Sequence, residues 1–215
     1  AWVVFPTGLM LVVVAGGELF TGNTLMGIGL VQGRFGIGPM LRNWMVVYLG
    51  NFAGSLLLVF MMAHSGLFNS GAGLLGGVTI KIAAFKVGLS FIGAFFLGIM
   101  CNWLVCLAVW IAYGEKSMAG KLLGIFFPIW LFITSGFEHC VANMYYVPAG
   151  ILARANPDWA AASGLSASVL EGLTWTAFLW NNLLPVTLGN IVGGFCFVGL
   201  AYWFVYLRPE GNKVN

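Results

Sequence analysis

What most constrains this chain is its row of five apolar stretches, at about 1–32, 39–63, 82–113, 121–152 and 175–207, each long enough to cross a bilayer core that needs ~20 residues. Lipid offers no water to backbone N–H and C=O groups, so such spans fold as helices whose hydrogen bonds close within the segment. Composition agrees: 60% of the 215 residues are hydrophobic, 7% are charged and the mean hydropathy is +0.97, outside the range of a soluble globular domain. The expectation is one all-α transmembrane domain over 1–215. Its 31 glycines let helix backbones approach closely where lipid supplies no hydrophobic drive for association.

Two spans are interrupted, the first by Gly16-Gly17-Glu18-Leu19-Phe20-Thr21-Gly22-Asn23 and the fourth by Thr134-Ser135-Gly136-Phe137-Glu138-His139-Cys140. Irregular backbone at membrane depth is tolerated only where protein buries it or where it lines a cavity, so each break marks a pathway or a site. Arg34, Arg42, Lys116, Lys121, Arg208 and Lys213 fall in connections on one side, and Lys81, Lys86 and Arg154 on the other. That bias places the C terminus in the cytoplasm. The stretch from Arg154 to Gly172 then reads as an external loop with one short interfacial helix.

The breaks belong to an internal repeat, which is the pattern to seek first. The span with Gly17-Glu18-Leu19-Phe20 precedes a helix with Leu49-Gly50-Asn51-Phe52-Ala53-Gly54; the span with Gly136-Phe137-Glu138-His139 precedes one with Leu188-Gly189-Asn190-Ile191-Val192-Gly193. Three crossings separate the two broken spans, so they run in opposite directions and the three-helix repeat is inverted, an architecture that sets a site near the midplane. The second half has an additional intact helix at 82–113, so equivalence of the halves expects a further helix before Ala1. The chain also opens inside an apolar run with neither Met nor a basic flank, which argues against a cleavable signal peptide.

Polar side chains inside spans are costly and are candidates for function. His139 leads them, because imidazole changes charge near neutral pH and can donate to an anion; its plainer role is to cap the broken helix end. Glu138 and Glu18 would repel an anion and are assigned to holding loop backbone or a neighbouring helix. Asn190 and Asn51 are matched by the repeat, and an amide can donate without burying charge; Asn190, in the same half as His139, is the site candidate and Asn51 a structural one. Lys86, at the outer end of the third span, either concentrates anions at a mouth or snorkels to the interface. Phe20, Phe132 and Phe137 flank the breaks, where bulky apolar rings can gate by dewetting.

Other chemistries lack their motifs. There is no phosphate-binding Gly-Lys-Ser/Thr loop, no Asn-Pro-Ala box, no potassium-filter sequence and no arginine ladder. Cys101, Cys106, Cys140 and Cys196 lie in apolar segments without CxxC spacing and read as small buried hydrophobes, not as a metal site. The net charge of +3 is too small and scattered for nucleic acid. No cofactor and no enzymatic activity are expected. The rival from another class is a haem-binding redox subunit using His64 and His139.

The stretch Ile133-Thr134-Ser135-Gly136-Phe137-Glu138-His139-Cys140-Val141-Ala142-Asn143-Met144, followed by Pro148 and Gly150, closely resembles the signature of the formate/nitrite transporter family. Gly16 to Gly22, Asn102 to Trp110 and Asn182 to Asn190 look like its other blocks, so the resemblance runs through essentially the whole chain. It implies an aquaporin-like helical bundle and a homopentamer in a cytoplasmic (inner) membrane, each protomer enclosing its own pore for a small monovalent anion. Formate comes first, with hydrosulfide or nitrite behind it. By motif match His139 would be the pore histidine, Asn190 its amide neighbour, Lys86 the vestibule lysine and Phe132 a constriction residue, while Phe20 and Thr21 would begin a mobile loop. The family's first helix has no counterpart here. Proton coupling through His139 is the mechanism this suggests.

Overall fold

The computed structural model describes residues 3–208; Lys213, used above for orientation, lies outside them. The helices are α1 (Thr7–Ala15), α2 (Phe20–Asn23), α3 (Met26–Val31), α4 (Ile37–His64), α5 (Leu74–Val87), α6 (Phe91–Gly114), α7 (Met118–Thr134), α8 (Cys140–Ala153), α9 (Pro157–Ser163), α10 (Ala167–Gly172) and α11 (Trp175–Leu207). No strand occurs among the described residues. Helices α4, α6 and α11 are long and apolar enough to cross a membrane, and α1 with the α2–α3 segment forms a bent pair, turned by 63° at its break. Helices α7 and α8 are shorter and apolar. This is an all-α membrane fold.

The chain divides into two compact units. The first comprises the chain up to Val47, Ile99–Phe137, and the chain from Asn190 onward; the second comprises Tyr48–Gly98 and Glu138–Gly189. In the first, Cys101, Val105, Ala108 and Ala112 on α6 recur at helical spacing and form one buried stripe against Ile125, Ile129 and Phe132 of α7 and Leu9 of α1. Phe5 closes this seam edge-on against Phe132, ring centroids 5.5 Å apart. Small residues bring α11 against α6: a Cβ at Gly193 would run into the Ile99 carbonyl.

In the second unit α5 packs on α8, where a Cβ at Gly150 would collide with Ala83, and on α9, where Gly76 and Gly77 meet Trp159 and Ala162. Trp159 is fixed by its indole N–H to Asn69 Oδ1 at 3.0 Å and by Phe68 at 5.4 Å between centroids. The loop from Arg154 to Gly172 thus carries two short helices instead of the one expected.

Two further expectations need correction. The third apolar stretch is not one intact helix: α5 ends at Val87, and Ser90 begins α6 by accepting from the Gly93 N–H at 3.1 Å. A continuous apolar run does not guarantee a continuous helix, because a serine cap offers the backbone a competing partner. Lys81 and Lys86 therefore belong to a separate helix. Cys196 is exposed, unlike Cys101, Cys106 and Cys140; it lies on the outward side of α11, where a thiol behaves as one more small apolar group.

Candidate functional site: two matched helix breaks

The two breaks are built by the same backbone device. Helix α1 stops at Gly16 with φ 75° and α7 is followed by Gly136 with φ 72°, the left-handed conformation that glycine adopts without a Cβ penalty. One residue further on, the Gly17 N–H reaches the Val12 carbonyl at 2.8 Å and the Phe137 N–H the Phe132 carbonyl at 3.1 Å. Then comes a glutamate, Glu18 or Glu138, and an extended residue that opens the next helix: Leu19 with φ −122° and ψ 122°, His139 with φ −115° and ψ 116°. The glycine, the glutamate and the extended residue thus stand at corresponding positions in 16–19 and 136–139.

The second break is held by charge. Glu138, 1% exposed, accepts from Lys86 Nζ at 2.7 Å through Oε1, and through Oε2 from Asn143 Nδ2 at 2.7 Å and Asn182 Nδ2 at 3.1 Å. Asn143 also donates to Asn182 Oδ1 at 2.7 Å, and Asn182 to the Lys86 carbonyl at 3.0 Å. One carboxylate thereby ties α5, α8 and α11 together. Burying it is tolerable because an opposite charge and several donors surround it. Lys86 is consequently not a freely snorkelling side chain: it is half of an ion pair with 12% side-chain exposure, and its ammonium lies 5.7 Å from the Tyr146 ring centroid. Two of its three N–H donors are left for other acceptors.

His139 performs the capping role weighed above as its plainer one. Its Nδ1 accepts from the Ala142 N–H at 3.1 Å, so it is the N-cap of α8. With Nδ1 engaged as an acceptor, the neutral ring carries its proton on Nε2, a donor suited to an anion. Protonating Nδ1 would break the cap. Leu19, at the matching place in the first break, has no side-chain cap bond.

The first break is held by amides and an aromatic ring. Asn23 donates through Nδ2 to Glu18 Oε2 and, at 2.8 Å, to Asn43 Oδ1, while Asn43 Nδ2 reaches Glu18 at 3.3 Å. This acid, amide, amide set matches Glu138, Asn143 and Asn182 in kind, and its first amide follows the glutamate by five residues in both breaks. The fully buried Thr21 presents its carbonyl to Asn102 Nδ2 at 3.1 Å and to Thr24 Oγ1 at 2.6 Å. Asn102 also reaches Thr24 Oγ1 at 3.0 Å and the Asn190 carbonyl at 2.7 Å, with Cys106 Sγ at 3.4 Å from Thr24 Oγ1. Phe20, 3% exposed, starts α2, and Phe132 lies in the α6–α7 seam. A cleft of about 300 Å³ opens at this break, lined by Leu9, Val13, Glu18, Leu19, Asn23 and Tyr113 among others.

Asn190 belongs to the first compact unit, where its carbonyl accepts from Asn102 Nδ2, and His139 to the second. Asn51 lies half-buried midway along α4. Six polar residues had been given no role of their own: Asn23, Asn43, Asn143, Asn182, Asn102 and Thr24. The first four carried a signal, since a glutamate is followed five residues later by asparagine in both breaks, and Asn43 precedes Asn51 by the interval at which Asn182 precedes Asn190.

Comparison with known proteins follows the same line. The sequence profile described as formate/nitrite transporter matches residues 1–204. The formate channel FocA of Escherichia coli (strain K12) is 42% identical over 210 residues, covering 97% of this chain and 74% of that protein. A probable formate transporter of Methanothermobacter thermautotrophicus is 42% identical over 219 residues, covering 95% and 74%. Among solved structures, a pentameric formate channel with formate bound superposes with a TM-score of 0.84 at 42% identity, covering 96% of this chain and 82% of that one. An FNT family ion channel gives 0.77 at 32% identity, covering 94% and 75%. These relatives are channels and transporters, not enzymes, which sets aside the haem-bearing redox subunit. The chain is an integral membrane protein and belongs to the formate/nitrite transporter family.

Proposed function

We propose that this protein conducts small monovalent anions, formate foremost, as a homopentamer in the cytoplasmic membrane with its C terminus in the cytoplasm. Support comes from the relatives named as formate channels and from the pentameric, formate-bound structure that it resembles. The observation that carries the reading is His139: a titratable ring at the N-cap of α8, inside an interrupted apolar span, whose Nδ1 accepts from the Ala142 N–H so that its neutral form carries the proton on Nε2. Such a residue is too costly at membrane depth to be retained for capping alone, which Ser or Asn would do as well.

In this mechanism Lys86, with two spare donors, meets anions at one mouth. Phe20 and Phe132 narrow the path and exclude hydrated ions. Thr21 and Asn190 supply polar atoms beside the constriction, and His139 Nε2–H hydrogen-bonds the anion or passes it a proton, so that it crosses the apolar rings as a neutral acid without the desolvation penalty of a charge. Glu138, Glu18 and Asn51 hold the breaks and their neighbouring helices. Hydrosulfide and nitrite share formate's size and charge and are the alternative cargoes.

The test is anion flux into proteoliposomes for formate, nitrite and hydrosulfide, with wild type and His139→Asn compared from about pH 5 to 8, the range in which imidazole changes charge. Asn retains an N-cap acceptor but does not titrate. A changed pH profile with retained assembly is expected; an identical profile would refute the proton role, and failure of all three anions to pass would refute the channel.

A further inference from the structure

We infer that Trp44 is a positioning residue that fixes the Phe20 ring and thereby sets which anions pass the first break; this rests on the reading of Phe20 as a constriction residue. Helix α2 is four residues long, a single turn that has no stability of its own. Its position must come from side chains packed on it. Asn43 and Trp44, adjacent on α4, grip the same residue of α2: Asn43 Oδ1 takes the Asn23 side-chain amide at 2.8 Å, and the Trp44 indole N–H donates to the Asn23 carbonyl at 2.9 Å. The carbonyl at the end of this turn has no further helical turn to accept from, so the indole supplies a missing donor.

Trp44 grips the start of the turn as well. Its ring meets Phe20 edge-on, centroids 6.0 Å apart at 78°, and on another side meets Phe195 at 6.4 Å and 89°. Phe195 in turn lies over Gly27 of α3, where any Cβ would collide with its ring. The indole is 9% exposed, so it has no room to move independently of these neighbours. A Trp suits the place because it joins a large aromatic edge to a ring N–H that only donates. Leu183 stands at the equivalent place in the second half, where no such donor exists and the Lys86–Glu138 pair does the holding.

The experiment measures formate and lactate flux in proteoliposomes for wild-type protein, Phe20→Ala, Trp44→Phe, Trp44→Leu and the double variant Phe20→Ala/Trp44→Leu. Freeing Phe20 should raise the lactate-to-formate ratio in Trp44→Leu by about threefold or more, toward that of Phe20→Ala. Trp44→Phe, which keeps a ring but loses the N–H, should fall between wild type and Trp44→Leu, and the double variant should match Phe20→Ala. General damage to the fold lowers both fluxes and leaves their ratio alone; if Trp44→Leu does not assemble, the comparison rests on Trp44→Phe. A raised ratio in Phe20→Ala with a wild-type ratio in the Trp44 variants would overturn the inference, and so would multiplying effects in the double variant. A wild-type ratio in Phe20→Ala would instead remove Phe20 from the constriction, and the inference with it.

Discussion

Replacing Glu138 by Gln tests whether the second break is held by charge. The pair to be broken has Lys86 Nζ 2.7 Å from Glu138 Oε1, with side-chain exposures of 12% and 1%. Removing one member of a buried pair typically costs about 3–5 kcal/mol, because the other charge is left unpaired. A glutamine also offers one acceptor oxygen where the carboxylate offers two, so either Lys86 or the Asn143 and Asn182 amides must face an NH₂ group. Two features lower the cost: Lys86 keeps some access to solvent, and the Tyr146 ring stays near its ammonium. The expected loss is about 3 kcal/mol, the low end of that range. For a chain of 215 residues this corresponds to a fall of roughly 6–12 °C in midpoint, at about 2–4 °C per kcal/mol. Thermal unfolding in detergent, followed by circular dichroism and by loss of assembly, measures it. The double variant Lys86→Met/Glu138→Gln buries no unpaired charge and should recover at least about 1 kcal/mol relative to Glu138→Gln. A single variant within about 1 kcal/mol of wild type, or a double variant whose losses simply add, would refute the account of the break.

Three smaller perturbations test other parts of the fold. Gly194→Ala would press a Cβ onto Thr24, Asn102 and Cys106 and should cost about 1–3 kcal/mol, whereas Gly50→Ala, with nothing within 4 Å, should be neutral or slightly stabilising; the thermal midpoints of the two variants decide it. In the α6–α7 connection the Ser117 and Lys116 N–H groups and the Ser117 hydroxyl hold the exposed Glu115 carboxyl below its ordinary value of 4.5. A depressed folded pKa contributes stability above the unfolded value and loses it as pH falls through the folded one, so the midpoint gap between wild type and Glu115→Gln should be present near neutral pH and close under acid.

The places where the spans break were legible because irregular backbone at membrane depth has to be written in glycine and polar residues, as at Gly16-Gly17-Glu18 and Gly136-Phe137-Glu138. The capping of α8 by His139 was open to view for a related reason: a helix that restarts at a break exposes backbone N–H groups, and an imidazole nitrogen there can accept from one. Hydropathy could not reveal that the third stretch divides, since Gly88, Leu89 and Ser90 barely lower it while Ser90 alone starts a new helix. Nor could it reveal the Thr24, Asn102 and Cys106 cluster, whose members meet across separations of about eighty residues in sequence. The ion pair of Lys86 with Glu138 was hidden by a physical assumption. A carboxylate was weighed against the anion it would repel, without a cation brought in from another helix to neutralise it.

The matched breaks separate what backbone contributes from what side chains contribute. Both use a left-handed glycine, a glutamate two residues on and an extended residue before the next helix, so the two differ only in what is hung on that frame. At the capping place stand Leu19 and His139, at the next residue Phe20 and Cys140, and on the long helix beside each break Trp44 and Leu183. One break therefore concentrates apolar and aromatic bulk, and the other carries the titratable ring and the buried ion pair. A frame used twice with the same side chains would offer an anion the same environment at both breaks. Under the proposed function, giving bulk to one and a proton-bearing donor to the other would let exclusion of hydrated ions and handling of charge be tuned by different residues, so that Phe20 could be altered without disturbing the cap on α8, and His139 without loosening α2.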